Sequence, residues 1–341
     1  MPDPGQWEPR VAGPGANAAG AGPEGDAPRK AGVTAPEGGG LVESVPNFSE
    51  GRRGEVVDEI VAAFTSAHPE VLVLDRSSDP DHNRSVLTLA GPGQALVEAA
   101  VSGAAACARL IDLNRHQGVH PRIGALDVLP FVPLDPGTDG APLALEAGRR
   151  LVEEVGIPVY FYGAAARMRA RAELPNVRAG GFEELVRAAE RDPARAPDLG
   201  GPGLHPTAGA TAVGARPFLI AYNVDLATQD VSLAKRIARA VRARDGGLPA
   251  VRALGVRLER RGMVQVSMNL LDFRVTGLAS AFAAVAELAA RAGVEVVESE
   301  IVGLVPEAAL AGVDPESLKL DGLPGDLVVE ERVRRAKATR P

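Results

Sequence analysis

The sequence has one cysteine, no excess of positive charge and no long apolar run, and each absence removes a class of function. The lone thiol, Cys107, rules out an intrachain disulfide and fits a reducing cytoplasm. It lies in the Ala-rich run AVSGAAACARL, where a small buried thiol is the natural reading. The net charge is −7 over 341 residues, whereas non-specific nucleic-acid binding needs a basic footprint. Only four of the 37 cations are lysine, a bias that genomic base composition explains as well as function does. No stretch approaches the roughly 18 apolar residues of a membrane span. Residues 1–40 lack the apolar core of a signal peptide, and their Pro, Gly and Ala content reads as a disordered tail. The GAGPEG within that tail matches G-x-G-x-x-G with no strand before it and no helix after it, so it reads as accidental.

Ordered structure is expected from Leu41. LVESVP (41–46) reads as a short strand, and RGEVVDEIVAAFTSAH (53–68) places apolar residues at helical intervals. EVLVLD (70–75) and RSVLTLAG (84–91) read as strands around the turn-rich RSSDPDHN. GQALVEAAVSGAAACARLIDL (93–113) reads as a helix and ALDVLPFVPL (125–134) as a strand. The order β-α-β-β-α-β then recurs. FLIAYNVDL (218–226), VRALGVRLE (251–259), MVQVSMNLL (263–271) and VEVVES (294–299) supply its strands. DVSLAKRIARAVRAR (230–244) and ASAFAAVAELAARAG (279–293) supply its helices.

The expected fold is therefore α/β, of the α+β kind: a tandem repeat of two ferredoxin-like βαββαβ subdomains, with helices packed on mixed sheets. A helix near 142–155, the strand PVYFYG (158–163), the helical FEELVRAAER (182–191) and a Pro/Gly loop at 193–209 fall between the repeats. They are assigned to the first, so the subdomains run 41–216 and 217–341. Two-part enzymes commonly bind ligands between their halves, which directs attention to the loops at that seam.

Four polar turns stand out. VPNFSEG (45–51) offers Asn47, Ser49 and Glu50; DPDHNRSV (79–86) offers His82, Asn83 and Arg84; HQGVHPR (116–122) carries His116, His120 and Arg122; GLHPTAGATAVGAR (203–216) leads into the second repeat. Asn47 and Ser49 also suit the capping of the next helix, and DPDHN is ordinary turn chemistry. His116 and His120 have the spacing of a helical zinc pair, but Gly118 between them and Pro121 after them argue against a helix. A histidine held between Gly118 and Pro121 suits general acid–base work near neutral pH, with His116 and His82 secondary. Arg84, Arg122 and Arg216 are candidates for binding substrate carboxylates, which a planar guanidinium fork matches. The other reading of these arginines is ordinary surface ion pairing. A metal held by His82, His116, His120 and His205 lacks an acidic residue at any recognised spacing, so no metal is expected. Nor is a nucleophile: there is no G-x-S-x-G elbow, and Cys107 falls within an expected helix.

Several stretches together resemble one family. LVESVPNFSEGR, DHNRSVLTLAG, LIDLNRHQGVHPRIGALDVLPFVPL, PVYFYGAAAR, LPNVRAGGFEEL, GATAVGARPFLIAYNVDL and QVSMNLLDFRVT are similar to glutamate formimidoyltransferases. In mammals that family forms the transferase half of formimidoyltransferase–cyclodeaminase. The likeness covers about residues 41 to 312, and the run H-x-G-x-H-P-R-x-G-A-x-D-V is its most specific part. The resemblance implies a cytoplasmic homodimer of two similar α/β subdomains, without nucleic-acid or membrane partners. It implies transfer of a formimidoyl group from N-formimidoyl-L-glutamate to N5 of tetrahydrofolate, the co-substrate, releasing L-glutamate in histidine breakdown. The chain is expected to end too early for a cyclodeaminase domain.

By the same resemblance the catalytic histidine is His120. The folate loop is Gly200, Gly201, Pro202, Gly203, Leu204, His205, Pro206, Thr207, Ala208 and Gly209, and a second ligand stretch begins at Pro306. One departure is Ser77, where some members carry an acidic residue or a histidine; any orienting role there is left open or passes to Asp79 or Asp81. In such a reaction one histidine accepts the folate proton and returns it to the leaving amine. Two alternatives stand beside it: a formyl transfer from N-formylglutamate, and a folate-binding protein without turnover.

Overall fold

In the computed structural model residues 40–118, 120–135, 137–258, 261–320 and 327–338 are described. Apart from Gly40, the tail expected at 1–40 lies outside them.

The first half opens with a strand that Pro46 breaks in two, β1 (Leu41–Ser44) and β2 (Asn47–Phe48). Helix α1 (Gly54–Thr65) follows, then the hairpin β3 (Leu72–Asp79) and β4 (Arg84–Pro92), helix α2 (Gly93–Leu110) and strand β5 (Leu126–Pro133). Both β1 and β2 lie between β4 and β5, antiparallel to each, with β3 outside β4. Helix α3 (Gly140–Arg150) leads through a π turn to β6 (Val159–Gly163), and the short α4 (Leu174–Val177) and α5 (Gly181–Ala188) precede β7 (Thr211–Ala215). Strand β7 pairs parallel to β5 on one side and to β6 on the other.

The second half repeats the order in simpler form: β8 (Ile220–Leu226), α6 (Val231–Val241), β9 (Val251–Leu258), β10 (Met263–Leu270), α7 (Leu278–Arg291) and β11 (Val296–Val302). Its four-stranded antiparallel sheet runs β11-β8-β10-β9. A last helix, α8 (Val329–Ala338), packs on β3 of the first sheet.

Three hydrophobic clusters explain how the layers hold. Val42, Leu89, Leu129 and Phe161 of the first sheet meet Ile60, Phe64, Leu96 and Ala144 from α1, α2 and α3. The opposite face divides. Val128, Tyr160, Tyr162 and Ala212 meet Val177 and Leu185 of α4 and α5. Leu72, Leu74, Ala90 and Val132 share a cluster with Val329 and Val333 of α8 and the core of the second sheet. The first sheet is therefore covered on both faces, and the second half is part of that cover.

Three elements differ from the sequence-based expectation. Strand β7 lies where a polar turn was read: T-A-V-G-A is short and lacks large apolar residues, yet all five residues are buried between parallel neighbours. Strand β3 runs on through Arg76–Asp79, where Ser77 pairs with Val86 and Ser78 with Ser85; exposed on both faces, it is held by its ladder and shows no apolar alternation. Helix α8 was not anticipated, because its run is charged and only Val329 and Val333, four apart, are buried. Cys107 is buried as expected, and burial pushes its thiol pKa up, disfavouring the reactive thiolate.

Candidate active site

The site starts from an irregularity in the first sheet. Asn47 pairs with Val128 and the next residue, Phe48, with Leu126, which leaves Asp127 as the extra residue of a β-bulge. Asp127 is fully buried. Its Oδ2 accepts hydrogen bonds from Arg84 Nη1 (2.6 Å) and Arg178 Nη2 (2.5 Å), and its Oδ1 accepts the Ile123 N–H (2.8 Å). Arg84 completes its fork on Asn47 Oδ1, through Nε (3.2 Å) and Nη2 (2.9 Å). Burial alone would raise the Asp127 pKa, but Arg178 and Arg84 outweigh it and hold the carboxyl below its usual range. Two guanidiniums on one carboxylate leave a net positive charge in a largely dehydrated place. The Arg178 Nε is buried there with no hydrogen-bond partner among the described residues.

His120 lies beside this group. Its Nδ1 is 2.7 Å from the Pro121 carbonyl oxygen, which can only accept, so the proton sits on Nδ1 and the Nε2 lone pair is left for chemistry. Burial first, then Arg84 and Arg178, lower its pKa from 6.5; the Pro121 carbonyl and Asp127 oppose them without prevailing. The imidazole is thus neutral and basic at neutral pH. The His82 ring lies 5.7 Å away, centroid to centroid.

The loop carrying His120 is stitched on two sides. On one, His116 Nε2 donates to the Asn83 carbonyl (2.8 Å) while Asn83 Nδ2 donates to the Gln117 carbonyl (3.0 Å). Asn83 Oδ1 accepts the Gly51 N–H (3.0 Å), which brings in the turn after β2. On the other side the 200–209 loop bonds directly to the histidine loop. Leu113 donates to Thr207, Ala125 to Ala208 and Ala210 to Ile123, and Asn114 Nδ2 reaches the Pro206 carbonyl. Gly209 has φ +70°, and a Cβ there would lie 2.1 Å from the Ile123 oxygen, so only glycine permits the junction. The same requirement falls on Gly118, whose Cβ would lie 2.2 Å from the His82 oxygen.

Several residues read from sequence as ligand-binding turn out to be occupied. His116 donates from Nε2 and accepts from Arg122 Nε at Nδ1 (2.8 Å), so neither ring nitrogen remains for a substrate. Arg122 spends the rest of its fork on both oxygens of Glu183 and on the Leu113 and His116 carbonyls, bonds that tie the loop to α5. Ser49 donates to the Gly124 carbonyl (2.7 Å). It does not cap α1, whose N-cap residue Arg53 makes no side-chain cap bond; Glu50 Oε1 accepts from the N–H groups of Arg52 and Arg53 just before the helix. His205 Nδ1 accepts from Thr207 and Ala208 N–H, closing its own loop. Asp79 Oδ2 lies 3.5 Å from His82 Nδ1.

Arg216 and Pro306 are not with the Asp127 group. They line a cavity of about 480 Å³ beyond the end of β5, with Phe273, Arg274 and Glu330, where the two halves meet. Ser49, Asn83 and His116 line another of about 340 Å³ with Arg52, Arg53 and Arg115. Among the described residues no cluster of three or more His, Cys, Asp or Glu is arranged to hold a metal ion. No helix among them is long and apolar enough to cross a membrane.

Sequence reasoning missed Asp127 and Arg178. A carboxylate inside A-L-D-V-L-P-F is costly to bury without partners, and that cost was the available signal for the first. Nothing local distinguishes Arg178 from the other arginines near it.

Comparison with known proteins gives the chain's relatives. Residues 41–216 match the model of the formiminotransferase domain, N-terminal subdomain, and residues 221–315 that of the formiminotransferase domain. A glutamate formimidoyltransferase of Thermoplasma acidophilum is 45% identical over 299 residues, 87% of this chain and 98% of that protein. The enzyme of that name from Streptococcus pyogenes serotype M1 is 42% identical, over 82% of this chain and 94% of its own length. The formimidoyltransferase-cyclodeaminase of Sus scrofa is 44% identical over 79% of this chain, a match spanning 51% of the pig protein. With the two domain models matching residues 41–216 and 221–315, and two of these relatives covered over nearly their whole length, the chain belongs to the formiminotransferase family.

Proposed function

We propose that this protein is a glutamate formimidoyltransferase, moving the formimidoyl group of N-formimidoyl-L-glutamate to N5 of tetrahydrofolate and releasing L-glutamate. The observation that carries the reading is His120. Its Nδ1–H is fixed on the Pro121 carbonyl, its Nε2 is free, and its pKa is held below 6.5 beside a net positive group. The family relationship supports the choice of substrates.

The chemistry follows from those features. N5 of the folate is a weak nucleophile toward an amidine carbon. As the N5–C bond forms, the N5 proton must leave, and a neutral imidazole accepts it at Nε2. General base catalysis of this kind contributes about a hundred- to ten-thousandfold. The resulting tetrahedral carbon then expels the glutamate nitrogen, which must be protonated to depart. Arg84 and Arg178, sharing one carboxylate, supply the positive field that draws a dicarboxylate donor to the histidine. The reading includes a homodimer and division at residues 216/217.

The test is direct. Purified protein is incubated with tetrahydrofolate and either N-formimidoyl-L-glutamate or N-formyl-L-glutamate, and the folate absorbance is followed. Transfer from the formimidoyl donor supports the proposal. Transfer from the formyl donor alone would reassign the substrate, and tight folate binding without transfer from either would remove the catalytic reading.

A further inference from the structure

We propose that His82 is a second catalytic imidazole, the acid that protonates the departing glutamate nitrogen, with Asp79 as its positioning residue. The inference rests on the transfer reaction proposed above.

Its basis is the way two loops are built into each other. Asp79 Oδ1 accepts the N–H groups of Asp81 and His82 (both 2.8 Å), shaping the β3–β4 turn. Asp79 Oδ2 then faces His82 Nδ1 at 3.5 Å. A carboxylate oxygen there can only accept, so it favours a proton on Nδ1. His82 and His120 thus share one design: each Nδ1 faces an oxygen of its own segment, and among the described residues neither Nε2 is engaged in a hydrogen bond. The rings lie 5.7 Å apart at 58°. This proximity is constructed, because the Gly118 backbone presses on the His82 carbonyl with no room for a Cβ, and Asn83 bonds across to Gln117. The surrounding charges are Asp79 and Asp81 on the turn, Arg52, whose Nε donates to the Pro80 carbonyl (2.7 Å), Arg84 at the start of β4, and His120.

Two such imidazoles divide the proton traffic. The N5–C bond forms and the N5 proton passes to His120 Nε2. The C–N bond to glutamate then breaks, and the glutamate nitrogen takes the Nε2 proton of the His82 imidazolium. His120 now holds one proton more and His82 one fewer, and exchange through water restores both before the next turnover. A single imidazole would have to redirect from one nitrogen to the other while the adduct lived.

A leaving group that needs no acid isolates the role. His82→Gln should lower kcat on N-formimidoyl-L-glutamate about a hundredfold, a typical loss for a general acid. With an aryl thioformimidate, whose thiolate departs unprotonated, the variant should keep kcat/KM close to wild type. Tetrahydrofolate affinity should be unchanged. Equal losses on both donors, or no loss on either, would overturn the proposal. Should His82→Gln fail to fold, Asp79→Asn decides: kcat on N-formimidoyl-L-glutamate should fall several-fold while kcat/KM on the aryl thioformimidate stays close to wild type, and equal effects on both donors would overturn the assignment. Wild-type protein inactive on formimidoylglutamate would instead refute the parent reading, so the two failures are distinguishable.

Discussion

Glu43 and Asp127 are buried carboxyls on the first sheet that respond to burial in opposite ways. Asp127 has two arginines bonded to it and stays ionised. Glu43, 3% exposed in β1, has burial pushing its pKa from 4.5 to about 7, with Arg216 only partly opposing. An acid whose folded pKa is raised binds its proton more tightly in the native state, so it makes the fold lose stability as pH climbs from 4.5 to about 7. Glu43→Gln removes that dependence. Its stability relative to wild type should improve by about 3 kcal/mol between pH 4.5 and pH 8, read from urea melts at the two pH values. A difference that does not change with pH would mean that the carboxyl is hydrated or better paired. For Asp127 the sign reverses: its folded pKa is depressed, so its stabilisation is present above the unfolded value of 3.8 and is lost as pH falls through the folded one.

At the scale of elements, the catalytic loop is held by bonds to neighbours more than by its own conformation. Arg122 is the clearest case, since its fork serves Glu183 and His116. Arg122→Lys should therefore cost stability, with the KM for either substrate little changed; a raised KM at unchanged melting temperature would restore it as a substrate ligand. Gly209→Ala introduces both the positive-φ strain and a contact with Ile123, and should destabilise by about 2 kcal/mol or more, measured by denaturant melts. Unchanged stability would show that the two loops separate more readily than their bonds suggest.

This scale also shows how far the sequence was legible. Apart from the end of β3 and the charged α8, the strands and helices from Leu41 to Pro133, and those of the second half, announce themselves by apolar period. The short β7 does not, because parallel burial on both sides lets Ala and Gly serve as strand residues. The histidine loop could be read for its backbone constraints. That Arg122 and His116 face each other could not, since the partners that occupy them, Glu183 and Asn83, come from distant segments.

In the whole molecule, the second half covers part of the first sheet, with α8 as the strap between them. Val333 of α8 is buried in the cluster that includes Leu72 and Leu74 of β3. Val333→Asp would bury a charge without a partner and should destabilise the protein by several kcal/mol. Melts followed separately by circular dichroism and by activity should shift together, because the cluster spans both halves. A variant that keeps full stability would show that α8 lies on the surface without holding it.

The proposed transfer depends on His120 as the base. Rapid-quench single-turnover measurement of formimidoyl transfer, wild type against His120→Ala, with tetrahydrofolate binding measured on both, tests that claim most directly. The expected result is folate affinity within a few-fold and a transfer rate lower by at least about a hundredfold, or roughly 2.7 kcal/mol of barrier. The wild-type rate should persist below pH 6.5 before falling, because the imidazole pKa is lowered from that value. Near-normal transfer by His120→Ala, or a loss explained wholly by weakened folate binding, would contradict the account.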